Sequence, residues 1–410
     1  MRFRRPCSHA AFDYFCTVMK VLSGLDVVSR RMPSGLRGKR IGILCHSSSI
    51  TSDFRFITEV FHRDSGSHLD ALFGPQHGIS GQTQDNMIEW ESTTDPVLGI
   101  PVWSLYGEHR RPTPRMLEGL EAFVVDLQDV GARLYTYIWT VKLCMEASAE
   151  AGIPVYILDR PNPIARVQAD GPVLLEEYFT FVGGASIPLC HRMTLGEMAT
   201  WIREKYLPGC ELHVIRMEGW RRDSLFRETG LPWVLPSPNM PSPESATVYP
   251  GTVLAEALNI SEGRGTVIPF ELTGAPWIDS HKLLGELRSR KLPGCSFRIH
   301  DFIPTFHKYE GEYCRGIQIH VTDASSFRPV ATALHLFDAV IKTSPPGSLQ
   351  FKKPPYEYEY RLMPFDILSG DSRMREVLEK GLSLADEISR WDESIGSFTA
   401  EFRQMGLYEE

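Results

Sequence analysis

Residues 69–91 read LDALFGPQHGISGQTQDNMIEWE: an apolar run, Leu69–Phe73, opens directly into a Gly-rich polar segment, Gly74–Glu91. A short apolar strand ending in such a loop is how an α/β protein builds a site at the carboxyl edge of its sheet. Polar side chains crowded there are expensive to order unless a ligand engages them. The stretch therefore predicts both a parallel sheet and the place of its site.

The same pattern recurs on either side. Arg40–Cys45 (RIGILC), Pro101–Leu105, Ala122–Leu127 (AFVVDL) and Pro154–Leu158 read as further strands. Asp53–His62 is helix-like, and Tyr135–Ala151 has helical periodicity closed by Gly152. Strands alternating with helical segments indicate a parallel sheet with right-handed crossovers. Polar residues gather after each strand, at Ser47–Ser49, Gln76-His77, Tyr106, Gln128-Asp129 and Asp159–Asn162, and so along one crevice.

From about Ser186 the character changes to α+β. Thr194 and Glu197 form a capping box that opens a helix over Leu195–Tyr206. Glu211–Met217 and Gly316–Val321 read as strands, Val253–Ile260, Pro329–Ile341 and Arg373–Trp391 as helices. Leu235–Pro241 is too Pro-dense for either, and Lys352–Tyr360 is a Pro/Tyr-rich loop. Division into residues 19–185 and 186–410, after an extension over 1–18, follows from this shift.

At 410 residues the chain is long for a single core, and its composition, 42% hydrophobic and 23% charged, is that of a globular protein. Net charge is −8, which argues against nucleic acid or an anionic membrane surface as partner. An anionic ligand must then be met by locally placed arginines. The eight cysteines are scattered without a C-x-x-C pair, so neither a zinc site nor a disulfide framework is expected. The basic start Met1–Pro6 is not followed by an uninterrupted apolar core, and Met19 is a candidate start; no run is long enough for a membrane span. A cytoplasmic location is expected.

Gly263-Arg264-Gly265 lacks the third glycine of a dinucleotide fingerprint, and the phosphate-loop, H-E-x-x-H and G-x-S-x-G patterns are absent, so a Rossmann-type cofactor is not expected. Arg133 lies near the start of the helix after Gln128-Asp129, where a guanidinium and backbone N–H groups can hold a carboxylate, or Arg133 and Asp129 can pair with each other. Asn162 sits rigidly between Pro161 and Pro163. Glu271 amid apolar residues suggests a partly buried carboxylate, salt-bridged or of raised pKa. Together with Glu262, Arg264 and His77 these residues suit a polyhydroxylated, anionic small ligand such as an acidic sugar.

The ordered strings FGPQHG (73–78), PVWSLYG (101–107), PTPRMLEGLEAFVVDLQDVGARLYTYIWT (112–140), LDRPNPI (158–164), LPSPNMPSPESATVYPGT (235–252), NISEGRGTVIPFELTGAPWI (259–278) and RGIQIHVTD (315–323) resemble the exo-β-N-acetylmuramidase family of glycoside hydrolases over about residues 20–410. The resemblance implies a Rossmann-like parallel-sheet domain and a smaller C-terminal α+β domain with the site in the cleft between them. It implies a cofactor-free release of non-reducing-end N-acetylmuramic acid from peptidoglycan-derived saccharides. Gln76 stands where the family carries its catalytic glutamate, and an amide cannot protonate a leaving oxygen. Glu89 is then the expected acid, with Asp85 or Glu91 next. Gln76 and His77 would position the glycosidic region, and Glu262, Glu271 or Asp129 would be the second carboxylate. Arg133, Arg160 and Arg264 would attend the lactyl group, and Tyr106, Tyr137, Asn162 and Asn239 the hydroxyls and the N-acetyl group. The alternative is a muropeptide-binding protein without hydrolysis.

Overall fold

The computed structural model describes residues 20–64, 66–84 and 88–408. The expected extension over 1–18, the candidate start at Met19, and Asp85 lie outside them. Among the described residues twelve strands follow in chain order: β1 Arg40–Cys45, β2 His68–Gly74, β3 Thr93–Thr94, β4 Pro101–Ser104, β5 Ala122–Asp126, β6 Val155–Leu158, β7 Asp170–Val173, β8 Pro188–Cys190, β9 Leu212–Ile215, β10 Leu272–Ala275, β11 Cys295–Ile299 and β12 Arg315–Val321.

Seven of them form one sheet in the order β3-β4-β2-β1-β5-β6-β9. Its pairings are parallel except at the β3 edge, where β3 runs antiparallel to β4. β5 is buried along its whole length and β1 along nearly all of it, as expected of central parallel strands covered on both faces. A three-stranded antiparallel sheet, β10-β12-β11, and the β7-β8 pair complete the set. Because β9 pairs with β6, the first sheet continues past the boundary drawn at residue 185. That boundary rested on a change of composition, which a last strand entered through the helix Leu195–Tyr206 does not respect. One cluster of buried apolar side chains runs from Leu44, Phe73 and Phe123 through Leu334 and Phe337 to Trp391, so the two halves share a core.

The helix Leu195–Tyr206 begins at the expected capping box, with Thr194 accepting from the Glu197 N–H. The helix Tyr137–Ala151 ends at Gly152 in the left-handed conformation. Asp53–His62 is helical only from Ile57, because Phe54 turns at φ 68° and Ile50 bridges Phe56 across that turn. Arg373–Trp391 divides into Arg373–Lys380 and Leu384–Gln404, with Gly381 in the left-handed conformation between them. Pro243–Thr252 is helical despite Pro250 and Gly251. A Cβ at Gly251 would lie 2.0 Å from the Pro329 carbonyl oxygen, so glycine there lets this helix lie against the helix Pro329–Thr343. Among the described residues no helix is long and apolar enough to cross a membrane.

Candidate active site

β2 ends at Gly74, and the turn after it places Gln76 and His77, both buried, over the carboxyl edge of the sheet. Two carboxylates, an arginine and a group of tyrosines close the cleft from the C-terminal half: Tyr249, Glu256, Arg264, Tyr356 and Glu357. Tyr135, Thr136 and Tyr137 form its floor.

Its walls are tied together by hydrogen bonds between distant segments. Thr136 Oγ1 donates to Gln76 Oε1 at 2.7 Å. Asn239 Nδ2 donates to the Gln84 carbonyl at 2.6 Å, joining the Pro-rich segment to the Gln76 loop. The same segment is held from below: Ser47 and Ser48 donate to the carbonyls of Leu235 and Val234, and the Tyr137 hydroxyl donates to that of Pro236 at 2.5 Å. His46 Nε2 accepts from the Gln128 N–H, so its Nδ1 carries the proton given to Pro236. Burial lowers the pKa of His46 to about 3 and keeps it neutral.

The two carboxyls of the cleft differ in electrostatics. Glu256 is ion-paired with Arg264 at 2.5 Å and accepts from the Tyr356 hydroxyl at 2.8 Å. Glu357 accepts from the Tyr106 hydroxyl at 3.3 Å. Burial, with the neighbouring Glu256 charge adding to it, pushes the pKa of Glu357 up to about 7. Such a carboxyl keeps its proton on a large fraction of molecules near neutral pH, as a general acid requires.

Of the residues expected from sequence, Gln76, His77, Tyr137, Asn239 and Arg264 line this cleft, and Tyr106 reaches it through Glu357. The others are placed elsewhere. Glu89 stands at the exposed rim, where the Tyr358 hydroxyl and Arg110 donate to it at 2.9 and 3.0 Å. These bonds hold its pKa below the usual range, so it is ionised where an acid is needed. Glu262 is wholly buried; burial pushes its pKa up, but Lys308, the hydrogen bond of His307 and Arg264 outweigh that and hold it well below the ordinary value. Glu271 accepts from Ser245 and Gln318 beside a different cavity. Asp129 is fully buried and lies outside the cleft lining, its Oδ2 accepting from the Gly131 N–H at 2.7 Å; burial raises its pKa to about 7.

The arginines are also spoken for. Arg133 is buried and donates to four carbonyls, of Pro172, Ile187, Leu368 and Ser369, which makes it a strut between the two halves. Arg160 pairs with the buried Asp126 beneath the sheet edge and also donates to Ile50 O. Asn162 donates to Met193 O and accepts from Ile164 N, holding its own turn. Sequence reasoning missed Glu256 and Glu357. Their signals were a lone carboxylate in the apolar run Val253–Ala257 and the alternation Tyr356-Glu357-Tyr358-Glu359-Tyr360. Among the described residues no group of three or more His, Cys, Asp or Glu side chains is arranged to hold a metal ion.

A parallel sheet whose carboxyl edge faces an acid, an ion-paired carboxylate and tyrosines across a cleft defines an α/β protein with a polar site between its two halves. The chain belongs to the exo-β-N-acetylmuramidase NamZ family: the family's N-terminal model matches residues 41–244 and its C-terminal model residues 247–408. It is 41% identical over 390 residues to the peptidoglycan β-N-acetylmuramidase NamZ of Bacillus subtilis, covering 95% of this chain and 92% of that one. Two crystal structures of DUF1343 family proteins from Bacteroides fragilis are similar to it, with TM-scores of 0.84 and 0.74 at 29% and 27% identity; each comparison covers 95% of this chain and 99% of the other. The two family models meet between residues 244 and 247, in the first turn of the helix Pro243–Thr252, and the cleft takes residues from both.

Proposed function

We propose that this protein is a glycosidase that releases N-acetylmuramic acid from the non-reducing end of peptidoglycan fragments, and that the cleft described above seats that sugar. The observation that carries this reading is the pair Glu357 and Glu256, one carboxyl of raised pKa and one ion-paired carboxylate in one cleft of a chain of this family. Glycosidases divide their work between two such groups. The lactyl carboxylate is assigned to the N-terminal turn of the helix Tyr137–Ala151, where the helix dipole and N–H groups favour an anion, since Arg264 is already paired with Glu256 and Glu262. Tyrosine hydroxyls and the Gln76 and Asn239 amides serve the neutral hydroxyl and N-acetyl groups.

Gln76 in the cleft is the observation that favours the second reading, binding without hydrolysis. Incubation with the disaccharide N-acetylmuramyl-β-1,4-N-acetylglucosamine, followed by mass spectrometry, separates the two. Release of the two monosaccharides is expected. An intact disaccharide that calorimetry shows to be bound would establish the non-hydrolytic reading instead.

A further inference from the structure

Tyr356 and Glu359 exchange both of their backbone hydrogen bonds, N–H to carbonyl in each direction at 2.9 Å. The two residues between them, Glu357 and Tyr358, both have positive φ, 45° and 66°. That is the sign pattern of a type I′ hairpin turn, which glycine and asparagine occupy readily and a glutamate followed by a tyrosine does not. Left-handed strain at two consecutive bulky residues persists only where the surroundings over-determine it, and such strain gathers at functional sites. Here the surroundings are Tyr106, which bonds Glu357, and Arg110, whose guanidinium lies 4.0 Å from the Tyr106 ring centroid and donates to Tyr358 Oη at 3.1 Å. The turn projects one buried carboxyl into the cleft and anchors the next side chain on the rim.

Resting on the muramidase reading above, we infer that Glu357 is the general acid of this enzyme, presented by the strained turn Tyr356–Glu359 across the cleft from Gln76. The other carboxyls have other employment. Glu89 is ionised on the rim, Glu262 is enclosed by three basic side chains, Glu271 faces another cavity, Glu256 is ion-paired with Arg264, and Asp129, whose pKa is also raised, holds the Gly131 N–H outside the cleft lining. Among the described residues the Glu357 side chain accepts from the Tyr106 hydroxyl alone, and that bond is long enough to orient the carboxyl without fixing it as a carboxylate. Its raised pKa agrees with this placement.

In the step, the bond between C1 of the muramic acid and the glycosidic oxygen breaks, and its electron pair goes to that oxygen. The oxygen takes the Glu357 proton and leaves as the alcohol of the next sugar. Water then forms the new bond to C1 and returns its surplus proton to the Glu357 carboxylate, restoring the acid. Glu256 supplies negative charge to the cleft while positive charge develops at C1.

Two substrates test the assignment. The disaccharide has a sugar alcohol as leaving group and needs protonation; 4-nitrophenyl N-acetyl-β-muramide has an acidic phenol and does not. Glu357→Gln is expected to lower kcat/KM on the disaccharide by about 10²–10⁴-fold while costing less than about tenfold on the nitrophenyl substrate, and to remove the loss of rate above pH 7. Glu357→Asp, which keeps a carboxyl one methylene shorter, is expected to recover part of the disaccharide rate and the basic limb of the pH profile. An equal loss on both substrates, an unchanged disaccharide rate, or equal rates for the Asp and Gln variants would overturn it. A wild-type protein that turns over neither substrate would instead overturn the muramidase reading itself.

Discussion

Thr136 Oγ1 donates to Gln76 Oε1, which turns the carbonyl end of the amide toward the start of the helix Tyr137–Ala151 and leaves the NH₂ end to donate to a ligand. On the proposed reading Gln76 acts as a fixed donor rather than as a source of protons. Gln76→Ala is expected to lower kcat/KM for the disaccharide by about tenfold, the scale of one lost hydrogen bond, with little change in melting temperature. Steady-state kinetics beside a thermal melt checks both halves.

Glu89 gives the opposite expectation. Its bonds to Arg110 and Tyr358 are made at an exposed rim, where ion pairs contribute little. Glu89→Gln is expected to change kcat/KM by less than about fivefold. A loss on the scale of a missing general acid would return the acid role to Glu89.

How much of this was legible in the chain depended on how local each determinant was. The capping box at Thr194 and Glu197 lies within four residues and was read to the residue, as were the apolar cores of β1 and β5. Gln76 and His77 were placed correctly at a strand end because the strand and the turn after it are contiguous. The arginines could not be sorted this way. Arg133 and Arg264 both follow a glycine-containing loop, yet one meets carbonyls as far as Ser369 and the other borders the cleft. Glu357 was missed because Tyr106, 251 residues earlier, is what gives it a place. A chain pattern records which face of an element is buried, and it does not record which distant group a polar side chain will meet.

Arg133 tests the distinction between strut and ligand-holder. Arg133→Ala leaves four buried carbonyls without their donor and is expected to destabilise the fold by about 3–4 kcal/mol in urea unfolding. Under conditions where the variant stays folded, KM should change little. A raised KM without loss of stability would place Arg133 at the lactyl group after all.

The raised pKa of Glu357 has a consequence for stability. Its carboxyl binds a proton more tightly in the folded protein, with a pKa of about 7, than at the ordinary value of 4.5. Its favourable contribution is therefore fully present below the unfolded pKa and is lost as pH rises through about 7, a change of about 3 kcal/mol at most. Glu357→Gln removes the titration, so the variant is expected to be more stable than wild type at pH 8 and to differ less from it at pH 5. Chemical unfolding at the two pH values measures this directly.

The most direct test is the titration of Glu357 itself, followed by the side-chain carboxyl ¹³C resonance in glutamate-labelled protein and assigned by its absence in Glu357→Gln. A midpoint near 7 is expected, with the resonance shifting when N-acetylmuramic acid is added. A midpoint near the ordinary 4.5, in a resonance that ignores the sugar, would contradict the claim that this cleft holds a protonated acid against a muramic acid ring.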